Sequence, residues 1–154
     1  MGASPKDIGK PPVIAPGQGV TEALHAGLYM AKSDTFTVGD TLPVLLFNVP
    51  ANVYIYDLII NETAAFADSV GATGTATLIA GYTGDSDAFH SSSTIVAAAG
   101  TYSMHGATGG VKKGGYLTTG AVQVEASWTT TCSVGGGQAI LLFARYGDEN
   151  FLDK

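Results

Sequence analysis

"GAVQVEASWTT", residues 120–130, alternates with a period of two. Val122, Val124, Ala126 and Trp128 fall on one side, and Gln123, Glu125 and Ser127 on the other. Successive side chains of a strand point to opposite faces, so the segment reads as a strand with one face in a core and the other toward solvent.

The same grammar extends outward in both directions. Downstream, "GQAILLFARYG" is apolar on both faces until Arg145. Upstream, "STIVAAAGTYSMHG" and "TATLIAGYTG" give further strand candidates, the latter with Ala76, Leu78 and Ala80 opposite Thr77, Ile79 and Gly81. "NVYIYDLIINET" sets Val53, Ile55 and Asp57 against Tyr54, Tyr56 and Leu58, and "TLPVLLFNVP" is a nearly continuous apolar strand closed by Pro50. "ALHAGLYMA" puts Leu24, Ala26, Leu28 and Met30 on one face, with Gly27 weighing against a helix there. "AAFADSVG", after Asn61, is expected to make a short helical turn. About eight closely spaced strands without a long amphipathic helix predict an all-β chain: a single β-sandwich, jelly-roll-like, over residues 21–154.

Residues 1–20 differ. They hold four of the six prolines, Pro5, Pro11, Pro12 and Pro16. Proline fixes φ and removes an amide donor, so this stretch is expected to be an extended N-terminal arm that forms neither helix nor interior strand. Two readings stand: a disordered terminus, or an arm ordered by lying across a neighbouring subunit. On the second, Lys6, Lys10, Pro11, Pro12, Val13, Ile14 and Pro16 are the docking residues, with Val13 and Ile14 giving apolar contacts and the lysines charge contacts.

Charged residues make up 13% of the 154 residues, about half the roughly 25% usual for a globular domain. Gly, Ser, Thr and Ala fill exposed positions instead, as on a surface that another chain covers, and an assembly subunit is expected. Seven basic residues against 13 acidic ones, a formal charge of −6, argue against nucleic acid as a partner. No apolar run reaches the roughly 18 residues of a membrane helix, and the opening residues lack the apolar core of a signal peptide. Neither a membrane nor export is therefore expected.

Candidate chemistry is thin. In "GYTGDSDAFH" the twelfth residue from Asp85 is Val96, not the glutamate of a calcium loop. Asp85 and Asp87 are read as a polar turn, with a weak cation site as the alternative. His25, His90 and His105 lack zinc-pair spacing, and Cys132 is the single cysteine, so no metal or other cofactor is expected. No G-x-S-x-G elbow is present, and catalysis is not expected. "ATGGVKKGG" and "SVGGGQ" are read as hairpin loops because neither has phosphate-loop form. Trp128 and the tyrosines are read as core or sheet-face residues, with a carbohydrate platform as the alternative.

"LLFNVPANVYIYDLIINETAAF", "TATLIAGYTGDSDAF" and "VQVEASWTTTCSVGGGQAILLFARYGD" together resemble tailed-phage virion structural proteins of the head-decoration, or cement, type. The pieces cover roughly residues 42 to 147. The resemblance implies a β-sandwich that forms a homotrimer, binds the major capsid protein on the outer face of the capsid and stabilises the shell. It also implies synthesis in the host cytoplasm and a final place in the virion. A tail-fibre or receptor-binding tip domain of the same fold is the alternative.

Overall fold

A computed structural model describes residues 6–7, 23–25, 28–68, 77–95, 99–106, 112, 114–128 and 132–145. These contain β1 (Lys6–Asp7), β2 (Ala23–His25), β3 (Leu28–Thr37), β4 (Val44–Val49), β5 (Val53–Asp68), β6 (Leu78–Tyr82), β7 (Asp85–Ile95), β8 (Gly100–Ser103), β9 (Tyr116–Leu117), β10 (Val122–Trp128) and β11 (Cys132–Arg145). A single 3-10 turn, Met104–Gly106, is the helical element among them. Eight of the strands are four residues or longer, in line with the expected all-β sandwich.

The strands form a five-stranded sheet in the order β1-β4-β10-β6-β7 and a six-stranded sheet in the order β2-β3-β11-β5-β8, with β9 also on β5. All pairings are antiparallel except β1 with β4. The two sheets meet through side chains of period two. Val124, Ala126 and Trp128 of β10 are buried, while Gln123 is exposed and Glu125 and Ser127 are half-buried. From the other sheet, Phe36 of β3 and Phe66 of β5 pack on the Trp128 ring, with centroids at 5.8 and 5.1 Å. Aromatic rings at these separations contribute dispersion and quadrupole terms beyond their buried area.

Bulges shift the alternation in two strands. Opposite β10, β4 carries one extra residue, and Leu46 and Phe47 are both buried. Opposite Leu142–Phe143 of β11, β5 carries Tyr56 as an extra residue. A bulge sets two residues against one and turns the following side chains. Leu58, expected to face away from Val53 and Ile55, is consequently buried with them.

Four local expectations are corrected. "ALHAGLYMA" is not one strand: Ala23 pairs with Tyr29 and His25 with Leu28, so β2 and β3 form a hairpin. Ala64–Asp68 is not helical but continues β5, because pairing with β11 and burial of Phe66 against Trp128 outweigh a weak local preference. "SVGGGQ" is not a loop but part of β11. A Cβ on Gly137 would lie 2.7 Å from the Asn61 carbonyl oxygen, so bare glycine lets β5 come that close. Finally, the β6–β7 turn is only Thr83–Gly84, with Gly84 at φ 106°, and Asp85 and Asp87 lie on strand β7.

Candidate functional site

Two of the buried polar side chains, Asp57 of β5 and His90 of β7, come near one another at the β5 edge. β9 pairs with β5 at Tyr54 and Ile55, and β8 pairs with it from Ile59 to Glu62. Between those pairings, among the described residues, side chains and the 3-10 turn cover the β5 edge in place of a strand. The Ser103 hydroxyl donates to Asp57 Oδ2 at 2.6 Å, and the Met104 N–H donates to Asp57 Oδ1 at 3.0 Å. Met104 itself is fully buried.

From the opposite sheet, His90 of β7 reaches the Leu58 carbonyl oxygen with Nε2 at 2.7 Å. A carbonyl only accepts, so Nε2 carries the proton and Nδ1 the lone pair. Nδ1 is buried without a hydrogen-bond partner among the described residues. Burial holds His90 below the ordinary imidazole range, opposed by the bond to Leu58 and the charge of Asp57. The ring is therefore neutral near pH 7 and ties the two sheets together.

This cluster has serine, histidine and aspartate side chains, yet it is not wired as a nucleophilic triad. Such a triad sets the serine hydroxyl on an imidazole nitrogen. Here Ser103 donates to the carboxylate, and His90 donates to backbone. The arrangement clamps the 3-10 turn to β5 and ties β7 of the opposite sheet to the same strand.

Two further buried groups serve the scaffold. Glu62 Oε1 accepts from the Phe66 N–H at 2.8 Å, whereas its buried Oε2 has no hydrogen-bond partner among the described residues. Burial pushes this carboxyl up, partly offset by the Phe66 N–H. Thr118 accepts from the Val53 N–H at 3.0 Å and donates to the Pro50 carbonyl at 2.7 Å, pinning the start of β5.

Of the arm residues singled out from sequence, Lys6 lies in β1, paired in parallel with Phe47 at the edge of the five-stranded sheet. Lys10, Pro11, Pro12, Val13, Ile14 and Pro16 lie outside the described residues. Asp85 is half-buried and Asp87 exposed, and no group of three potential metal-ligating side chains occurs among the described residues. No helix among them is long and apolar enough to cross a membrane. Trp128 is core. Among the described residues Tyr56 is the large exposed aromatic, 52% accessible, with its ring edge-on to both Tyr54 and His105. Leu117, directly across from Tyr54, is also exposed.

Sequence reasoning missed the Asp57–Ser103–Met104 contacts and the His90–Leu58 bond. One signal was present: Asp57 interrupts an otherwise apolar run of β5, and a carboxylate there requires hydrogen-bond donors if it is buried.

The sandwich has a solved counterpart. It is similar to a chain of the cyanophage Pam1 capsid asymmetric unit, with a TM-score of 0.51 and 19% sequence identity, covering 89% of this chain and 95% of that one. At that identity the likeness is one of fold. No protein-family model and no curated protein matches the sequence.

Proposed function

We propose that this chain is a bacteriophage capsid decoration protein that binds the outer capsid surface as a homotrimer and stabilises the shell. The observation that carries the reading is the fold likeness, which spans 95% of a chain in a phage capsid asymmetric unit. The overlap runs over nearly the full length of both chains, so a sandwich of this size has a counterpart as a whole capsid chain. The strand orders β3-β11-β5-β8 and β4-β10-β6-β7 support a jelly roll, since they are what a long antiparallel ribbon gives when it wraps around a core.

The role is structural and not catalytic. A subunit that binds the assembled shell and not its separated proteins stabilises the shell by mass action. Three linked contacts to the major capsid protein raise avidity well above that of one. The sparse charge and acidic balance fit a protein covered by other chains and held away from DNA. The Pro-rich arm, through Lys6, Lys10, Val13 and Ile14, supplies the capsid contact.

The test is co-sedimentation of the purified protein with capsids stripped of it, followed by cryo-electron microscopy. Density in threefold clusters on the shell is expected. Density on the tail would favour a receptor-binding tip, a reading to which the exposed Tyr56 beside His105 lends support as a sugar-stacking surface.

A further inference from the structure

Along one edge β5 changes partner, from β9 at Tyr54 and Ile55 to β8 from Ile59 onward. In the gap between them the bonds to β5 come from His90, Ser103 and Met104. The 3-10 turn Met104–Gly106 lies against both β5 and β7 there. Its two ends differ. Met104 is fully buried with its N–H on Asp57, whereas His105 and Gly106 are exposed, and nothing lies within 4 Å of where a Gly106 Cβ would stand. On either side the strands are fixed: β8 is paired with β5, and β7 is pinned next to His90 by the Lys112 N–H on the Ala88 carbonyl at 2.7 Å and by Phe89 packed on Tyr82 and Tyr116. The turn is the piece of this seam that can yield.

His90 suits the seam only while neutral. Its Nε2–H has the Leu58 carbonyl, and its buried Nδ1 has no partner among the described residues. A second proton makes Nδ1 a donor too, and a buried donor without an acceptor is costly. Asp57 is the charge that favours the protonated ring, but its two oxygens already accept from Met104 and Ser103. The other titratable groups on the surrounding elements are engaged elsewhere or accessible to water. Tyr82 of β6 stacks on Tyr116, His105 of the turn lies against Tyr56, and Glu62 of β5 holds the Phe66 N–H. Asp85 and Asp87 of β7 and Glu125 of β10 are half-buried or exposed.

We propose that the turn Met104–Gly106 is an acid-operated latch: when His90 takes up a second proton the turn leaves β5 and admits water to the imidazolium, while both sheets stay assembled. Opening bares the β5 edge from Tyr56 to Leu58. With the turn open, His90 regains its ordinary affinity for a proton, and with the turn closed burial keeps that affinity lower, so acid favours the open state. The opening constant rises by up to ~10-fold per pH unit as pH falls below about 6.5, until the closed-state value is reached.

The test is amide hydrogen exchange of the full chain, resolved by residue and corrected for intrinsic rates, between pH 7.5 and 5 and with or without dilute urea. Protection of the Met104 amide is expected to fall up to ~10-fold per pH unit below about 6.5 and to respond little to urea, as local opening does. Leu141, in the middle of the six-stranded sheet, should be better protected at every pH and should lose protection in urea, because global unfolding exposes it. His90→Gln keeps a donor for the Leu58 carbonyl but takes up no proton in this range, and should make Met104 protection independent of pH. Ser103→Ala removes one bond to Asp57 and should lower Met104 protection ~10-fold at every pH with the slope unchanged. If His90→Gln fails to fold, the wild-type profiles decide. Met104 protection that is flat with pH, or that matches Leu141 in both size and urea response, overturns the proposal, as does a slope that survives in His90→Gln.

Discussion

His90 and Leu58 belong to opposite sheets, and the imidazole Nε2–H of the first donates to the carbonyl of the second at 2.7 Å. Main-chain ladders hold strands within a sheet, whereas this bond holds one sheet to the other.

It makes stability sensitive to acid. The folded state holds His90 neutral, with its affinity for a proton depressed below the unfolded value of about 6.5. Above that pH neither state is protonated and the contribution is constant. As pH falls below about 6.5 the unfolded chain takes up the proton first, and stability drops by up to ~1.4 kcal/mol per pH unit until the folded-state value is reached. Urea midpoints between pH 7.5 and 5 should show this slope, and His90→Gln should flatten it. A wild-type profile as flat as the variant's would exclude His90 as the source.

Glu62 works in the opposite direction. Its carboxyl is raised, so the folded state binds the proton more tightly, and stability is lost as pH rises through 4.5 toward the folded-state value. Glu62→Gln keeps an oxygen for the Phe66 N–H and removes the buried charge. An increase of about 1 kcal/mol at pH 7.5, absent at pH 4, is expected. Glu62→Ala, which strands the Phe66 N–H, should instead be destabilising.

Phe36 packs against both Trp128 and Phe66 in the core, the three rings in mutual contact. Phe36→Ala should lower unfolding free energy by about 3–5 kcal/mol. Trp128 is the single tryptophan, so its fluorescence reports the transition directly. A loss under 1 kcal/mol would mean that the rings do not bridge the sheets.

Gly81 of β6 faces the crowded start of β7, where five residues of β7 span what two of β6 do. A Cβ there would collide with the Asp85 carbonyl oxygen and the Ser86 backbone. Gly81→Ala should cost at least ~2 kcal/mol in chemical denaturation, well above the few tenths expected at an open surface site.

Deleting residues 1–20 removes β1, two residues at a sheet edge, and should leave a folded oligomer with stability reduced on the order of 1–2 kcal/mol. The same deletion should abolish capsid binding. Thermal melts and co-sedimentation separate the outcomes, and loss of folding would show that the arm belongs to the core.

Much of this architecture is legible in the sequence wherever strands are unbroken. Val124, Ala126 and Trp128 announce β10, and Ala139, Leu141 and Phe143 face inward within the apolar run of β11. Legibility fails where period two fails. The bulges at Leu46–Phe47 and at Tyr56 reset the face, and nothing local marks them. Gly135–Gly137 look like a turn because flexible residues usually are one; here the lack of a Cβ admits neighbouring strands. His90 follows a polar segment in the sequence, yet its partner is 32 residues away on another sheet. Such pairs depend on topology, which alternation does not encode.

The central place of β10 and β11 also governs when the molecule can form. β11 lies between β3 and β5, and β10 between β4 and β6, so the middle of each sheet is made last during synthesis. A growing chain that has released β3 through β7 still exposes strand edges and the Phe36–Phe66 surface that Trp128 will cover. Sandwich closure must wait until β10 and β11 leave the ribosome, which makes folding slow and the incomplete chain prone to aggregate.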